Sequence, residues 1–394
     1  MSAVAVIGVG QTTYGLTPEK TLKALFADAV AAALADVARG LDPRAIEEVY
    51  IGSLATGGSQ LGNFAPLMAE SAGLTGCAAR RVENACASSG FAFRDAVLAV
   101  ASGRARLAIA GGIEKMSDLP RTRNRGWLGV SGDVEWERLA GTNFPGIYAM
   151  IARRHMHEFG TTRAQLAGVA VKNRAHALAN PKAQVRRPLT LEEATSAPML
   201  ADPLGFADAC GITDGASAAI LCRLEDARSF TDAPVAVVGS GAGSDVVALH
   251  DRPSCTRLEA VRRAARAAYD AAGVGPDAID LAEVHDCFSI AELLAYADLG
   301  FCREDEAGRW VEAGETRLGG RLPVNVSGGL IAKGHPIGAT GTGQIVELVH
   351  QLRGTVAEPE RRVAGARFGL AHNVGGSGGS ATVHILQAPD RGPR

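Results

Sequence analysis

The chain repeats itself, and a long duplicated unit restricts its possible folds more than any other feature of the sequence. Ala3–Gly8 reads AVAVIG and residues 234–239 read PVAVVG. Each is an apolar, β-rich run closed by glycine, as in a buried strand. An Ala-rich helical stretch follows each: TLKALFADAVAAALADVARG from Thr21 and TRLEAVRRAARAAYDAAGVG from Thr256, with Gly40 and Gly273 suited to the helix ends. Pro43 then matches Pro276, Ala45–Ile46 matches Ala278–Ile279, and each copy leads into another short strand. RLAIAGG (106–112) resembles RFGLAHNVGG (367–376). The unit is far longer than the ~50 residues of solenoid repeats. It predicts two similar β-α-β halves, each with its own sheet, packed through shared helices.

The repeat sets the domain plan. Residues 1–114 and 202–232 form the first half, and 233–394 form the second. Residues 115–201 form an inserted loop domain, and long insertions tend to be lids or binding loops. Within it, PGIYAMIARRHMHEFG reads as a helix, and Thr161 or Thr162 caps the next one. RRVENA reads as a strand, and TDGAS (213–217) leads into AAILCRL, the last strand of the first half.

Composition excludes several functions. Lys plus Arg is 40 against 42 for Asp plus Glu, a balance that argues against a nucleic-acid binder. No run approaches the ~18 apolar residues of a membrane span. The N-terminus lacks the charged start of a signal peptide, and QAPDRGPR at the other end carries no readable targeting signal. The seven cysteines are irregularly spaced, without a Cys-x-x-Cys pair. They predict free thiols in a reducing, cytoplasmic setting and no metal site, the His250/Cys255 pair being too little for one.

Four segments could carry chemistry. In NACASSGFAFRDAVLAVASG, Cys86 sits where a strand turns into a helix. Unpaired N–H groups and the dipole at a helix start favour thiolate, so a depressed pKa is predicted there. The alternative is a small buried hydrophobe. VHDCFS places His285, Asp286 and Cys287 after a strand. They are either a donor and an acid/base, or a capping Asp beside a structural Cys. In NVSGGLIAKGHPIGATGTGQIVELVHQL six glycines surround His335 before an amphipathic helix starting near Thr342. Such a histidine can polarise a carbonyl or accept a thiol proton. No Lys-Ser or Lys-Thr follows the glycines, as a phosphate loop requires. HNVGGSGGS (372–380) is either an oxyanion-stabilising glycine nest or a plain strand-turn-strand loop. His176, His350 and His384 read as packing or surface residues.

NACASSG, HDCFS, GGLIAKGHPIGATG and HNVGGSGG, in that order, resemble the active-site loops of the thiolase superfamily, over nearly the whole chain. The resemblance implies an α/β fold: a five-layer αβαβα sandwich of two similar halves. It implies an acyl-CoA acyltransferase using coenzyme A as substrate, with no permanently bound cofactor, active in lipid metabolism as a homodimer or homotetramer. Cys86 would be the acyl-accepting nucleophile and His335 its activator. His285 would complete one oxyanion hole with His335, and the backbone N–H groups of Cys86 and Gly375 would form another. Asn373 stands where the best-known degradative thiolases have a second cysteine, which here is Cys287. That pattern resembles sterol-carrier-protein-type and archaeal acetoacetyl-CoA thiolases, and makes Cys287 the acid/base. Coenzyme A would lie against the insertion, with candidate contacts among Arg121, Arg123, Arg125, Arg153, Arg154 and Lys182. Relatives that act as retro-aldolases or acylate phenolic compounds, some with a small OB-fold/zinc-ribbon partner, are the rival reading. A non-catalytic thiolase-like subunit is a third.

Overall fold

A computed structural model describes residues 3–58 and 60–389, so the last five residues of the C-terminal segment read above lie outside it. The duplication is visible in strand order. The first half contains β1 (Val4–Gln11), β2 (Glu48–Gly52), β3 (Ala78–Val82) and β4 (Leu107–Glu114). After two short strands, β5 (Met199–Ala201) and β6 (Leu204–Gly205), comes β7 (Gly215–Arg223), giving the order β3-β2-β4-β7-β1. The second half contains β8 (Val235–Ser244), β9 (Leu281–Glu283), β10 (Phe368–Gly375) and β11 (Ser380–Gln387) in the order β9-β10-β11-β8. The pairs β2–β4 and β9–β10 are parallel, and the remaining equivalent pairs are antiparallel in both halves. The counterpart of β3 in the second half is a single bridge between Ala282 and Val324.

The repeat predicts two separate sheets. Instead Val4–Val6 of β1 pair with residues 235–237 of β8, so the nine strands form one hydrogen-bonded sheet. The joint spans three residues of each strand, and helices still pack on the halves as on two layers. Helices α1 (Leu22–Ala35) and α2 (Phe64–Ser71) cover the outer face of the first half. Helix α3 (Ser88–Ala101) enters the middle. The insertion supplies α4 (Arg121–Gly129), α5 (Phe144–Phe159), α6 (Arg163–Ala177) and α7 (Leu191–Ser196). The second half adds α8 (Glu259–Ala272), α9 (Ser289–Asp298), α10 (Ala307–Ala313), α11 (Gly329–Ala332) and α12 (Thr340–Arg353). Along β1, Val4 and Val6 face the middle layer while Ala5 and Ile7 face α1, the period-two alternation of a strand buried on both sides.

Two helix expectations change. Helix α1 ends at Ala35, and Gly40 serves a later turn at φ 76°. Helix α12 starts at Thr340 and is buried on almost every face, not amphipathic, because it lies between the two halves. In the insertion, Gly160 closes α5 in the left-handed conformation, and Thr162 with Gln165 forms a capping box for α6.

Helices α3 and α12 are the middle layer, and they meet without side chains between them. A Cβ on Gly341 would lie 2.4 Å from Asn373 Oδ1 and 2.5 Å from the Gly90 nitrogen. Beside that contact the Thr342 N–H donates to Ser89 Oγ at 3.1 Å. Gly341→Ala is therefore expected to cost about 1–3 kcal/mol, the usual range for overpacking. A urea titration should show the lower midpoint, with activity lost because the crossing lies one turn from the site.

Candidate active site

Each central helix begins at a reactive loop. β3 turns into α3 through Asn84–Ala87, where Ala85 holds φ 50°, a left-handed conformation that a residue with a Cβ adopts only under constraint. Ser88 fixes the turn by accepting the Asn84 N–H at 3.0 Å and donating to the Ala85 carbonyl at 2.6 Å. The glycine-rich loop before α12 is held by Glu114, which accepts backbone N–H groups of Leu54, Thr56 and Gly338 at 2.8–3.1 Å. The two loops bring Cys86 and His335 together, and β9 delivers His285 beside them. The Cys86 sulfur and one ring nitrogen of each histidine lie within 4.8 Å of one another. The rings of His285 and His335 meet edge to face at 5.0 Å.

The surrounding hydrogen bonds fix which nitrogens carry protons. The Thr340 hydroxyl donates to the Pro336 carbonyl at 3.1 Å, so it accepts from His335 Nδ1 at 2.7 Å. His335 thus carries its proton on Nδ1, leaving Nε2 bare to act as a base. Asn373 faces the Cys86 carbonyl at 3.0 Å. A carbonyl only accepts, so the facing atom is Nδ2, and its second hydrogen goes to His285 Nδ1 at 3.0 Å. His285 therefore carries its proton on Nε2, a buried N–H with no protein partner. One histidine is set as base and the other as donor.

The depressed pKa predicted for Cys86 is not found. Burial pushes the thiol up to about 12, against hydrogen bonds from the Gly376 N–H and its own N–H, and the Glu114 and Glu83 carboxylates push the same way as burial. Desolvation outweighs the helix start, because protein packs around the sulfur although Cys86 as a residue is only half-buried, and no cation faces it among the groups acting on it. Burial lowers His335 to about 3 and also holds His285 well below the usual range, with His335 and His372 adding to the latter. At neutral pH the set is a neutral thiol and two neutral imidazoles.

Cys287 is buried beside them, and burial raises its thiol as well. Its loop is tied on both sides. The Cys210 N–H donates to the Cys287 carbonyl at 3.0 Å. Asp286 caps not its own helix but α11, accepting the Leu330 and Ile331 N–H groups at 2.6 and 3.2 Å. Asn173 of α6 donates to both Asp286 and Glu292 at 2.7 Å, and Lys172 pairs with Glu292 at 2.7 Å. The insertion thus buttresses the catalytic-type loop from behind, which no motif in the sequence announced. HNVGGSGGS forms a strand, a glycine turn and a strand: the end of β10, residues 376–379 and the start of β11. The N–H that reaches the Cys86 sulfur is that of Gly376, while Gly375, one residue earlier, pairs with Ser380. Cys86, His285 and His335 could also hold a soft metal ion such as zinc. The bound thiolate would then be unable to carry an acyl group. His250 and Cys255 do not join a metal-capable cluster among the described residues.

Of the basic residues named for coenzyme A, Arg153 pairs with Asp202 and Arg154 with Glu158. Arg123, Arg125 and Lys182 are exposed, and the Arg121 side chain lies outside the described ones. His176 and His384 are packing residues, bonded to the Asn325 and Gly90 carbonyls respectively.

A thiol, a base and an unpartnered N–H within 4.8 Å of one another suit acyl transfer, and comparison with known proteins agrees. Residues 4–225 match the thiolase N-terminal domain and residues 241–388 the thiolase C-terminal domain-like model. The chain belongs to the thiolase family. An acetyl-CoA acetyltransferase of Methanothermobacter thermautotrophicus is 46% identical over 98% of this chain and 100% of its own length. Rat sterol carrier protein 2 is 33% identical over 98% of this chain and 72% of its own. Among solved structures, an Ltp2-ChsH2(DUF35) aldolase superposes with a TM-score of 0.85 at 27% identity, covering 100% of this chain and 99% of that one. The enzyme is an acyltransferase of the thiolase type, with the two-halved αβαβα architecture that the family resemblance implied.

The neutral resting state has a direct test. The ultraviolet absorbance of thiolate, measured as wild type minus Cys86→Ala, should be absent at neutral pH and emerge only in strongly alkaline solution. Alkylation by iodoacetamide should rise with pH without a neutral plateau. A neutral plateau would mean a preformed thiolate–imidazolium pair.

Proposed function

We propose that this thiolase cleaves short 3-ketoacyl-CoA by thiolysis, and in reverse condenses two acyl-CoA molecules, through an acyl-enzyme on Cys86. The observation that carries the reading is the opposite tautomers of His335 and His285. As Cys86 attacks the 3-keto carbon, its proton passes to His335 Nε2, and the C2–C3 bond then breaks to release acetyl-CoA as its enolate. That nitrogen then becomes an N–H donor and, with His285 Nε2–H, faces the thioester oxygen of the departing acetyl-CoA enolate. The backbone N–H of Cys86 and the glycine turn at Gly375–Gly376 serve the oxygen on the acyl carbon. Such preorganised donors supply the largest share of catalysis in acyl transfer. The departing acetyl-CoA enolate takes its proton from the Cys287 thiol; coenzyme A then gives its thiol proton to Cys287 and accepts the acyl group, and Cys86 recovers its proton from His335.

In this reading Asn373 fixes the His285 tautomer and holds the nucleophile's carbonyl. Residues 115–201 form the insertion that covers coenzyme A, between a first half of 1–114 with 202–232 and a second half of 233–394. The enzyme works as a cytoplasmic homo-oligomer in acyl-CoA metabolism. One observation favours a retro-aldolase with a small OB-fold partner: the likeness to a structure named an aldolase with a DUF35 component. An aldolase forms no acyl-enzyme, however, and retention of both Cys86 and Cys287 supports thiolysis.

Loss of acetoacetyl-CoA enolate absorbance on adding coenzyme A tests this. Wild type should turn over, and Cys86→Ala and Cys287→Ala should each lose about 10³-fold or more in kcat, as for groups used in bond making. An inert wild type would sink thiolysis and favour the aldolase. Asn373→Ala should lower kcat about 10- to 100-fold with KM nearly unchanged, because it frees a donor used in the transition state. A change confined to KM would contradict the tautomer argument.

A further inference from the structure

We propose that Tyr148, carried by α5 of the insertion, is a positioning residue for proton transfer, its hydroxyl serving Cys287 as a switchable hydrogen-bond partner. The inference rests on the reading of Cys287 as acid/base and adds a residue to it. Tyr148 is 1% exposed, and its ring stacks on Phe288, the neighbour of Cys287, at 4.7 Å and 27°. Its hydroxyl donates to the Gly376 carbonyl at 3.0 Å, and it lies near enough to Cys287 for each group to act on the other's titration. Gly376 in turn offers its N–H to the Cys86 sulfur. One phenol therefore bonds the turn that faces Cys86 and packs on the residue next to Cys287.

A phenol has one donor hydrogen and two acceptor lone pairs. While Cys287 is a thiol, its S–H donates to Tyr148 Oη and the Tyr148 O–H donates to Gly376. When the S–H bond breaks and the proton forms a C–H bond on the acetyl-CoA enolate, a thiolate remains. The tyrosine hydrogen can then swing from the neutral carbonyl to the charged sulfur, exchanging an ordinary hydrogen bond for a charge-assisted one. In the condensation direction the same thiolate removes an α-proton and the hydroxyl swings back.

The need for such a partner is electrostatic. A thiolate at Cys287 is opposed by burial, by Cys86 and by Asp286. Cys210, across the bridge between Ala209 and Phe288, is another buried thiol that senses Cys287. Against these stand the Tyr148 hydroxyl and the Phe288 N–H. Burial keeps the phenol protonated far above neutral pH, so it remains a donor, with the Arg252 guanidinium as the cation acting on it. Arg252 is itself engaged, donating to the Ser377 carbonyl at 2.6 Å.

Tyr148→Phe keeps the stacked ring and removes only the hydroxyl. Two partial reactions separate its role from a structural one. Exchange of acetyl-CoA methyl hydrogens with heavy water reports the Cys287 step, and exchange of labelled coenzyme A into acetyl-CoA reports acylation of Cys86. The first should slow about 10- to 100-fold, the value of one hydrogen bond to a charged group, and its rise with pH should move to higher pH. The second should stay within about twofold, a change small enough to leave acyl transfer intact. An equal fall in both would make Tyr148 structural and overturn the proposal, as would an unchanged first reaction with its pH profile in place. Cys287→Ala separates the two readings. If it keeps methyl exchange, the acid/base reading fails and the proposal with it. If it abolishes exchange while Tyr148→Phe has no effect, the proposal alone fails.

Discussion

The crossing of α3 and α12 is the contact on which the rest depends. Gly90 and Gly341 let two backbones approach where a single methyl would not fit, and Ser89 and Thr342 clasp the same point with hydrogen bonds. Because both helices start within a turn of this crossing, the loops that precede them are forced together. Cys86 ends one loop and His335 lies in the other. A thiol from the first half and an imidazole from the second therefore meet by the geometry of the duplicated fold. The same closeness explains why α12 is apolar or small around most of its circumference: it has a sheet layer on either side and almost no solvent face.

Burial then sets the electrical character of the site. Thiols are raised and imidazoles lowered, each by desolvation. Charge is too costly to hold at rest, so protons have to move between neighbours during the reaction. That places weight on hydrogen-bond partners that decide where each proton starts. Thr340 does this for His335 and Asn373 for His285. Asn373 thus sets a tautomer, while the second thiol near the site comes from Cys287 in a different loop.

Helices α5 and α6, from the segment between the two halves, brace the site. Asn173 and Lys172 of α6 bind the buried carboxylates behind the loop holding His285 and Cys287, and Tyr148 of α5 reaches its front. A buried pair such as Lys172–Glu292 adds little net stability. Its value here is geometric, since removing either partner would strand a charge against the catalytic-type loop.

Much of this was legible in the chain itself. The duplicated strand and helix patterns gave the two-halved architecture, because hydrophobic periodicity and glycine or proline punctuation are local properties written along the chain. Cys86, His285, Cys287, His335 and Asn373 were legible because each lies in a short motif whose residues act on one another. Tertiary structure decided the rest. The joining of the sheets at β1 and β8, the raised thiol of Cys86, the approach of Gly376 and the roles of Asn173 and Tyr148 depend on residues far apart in sequence. The helix start at Cys86 is visible locally and favours thiolate, but the enclosure that outweighs it is built by loops from both halves. Desolvation is a property of everything around an atom, and no stretch of sequence contains it.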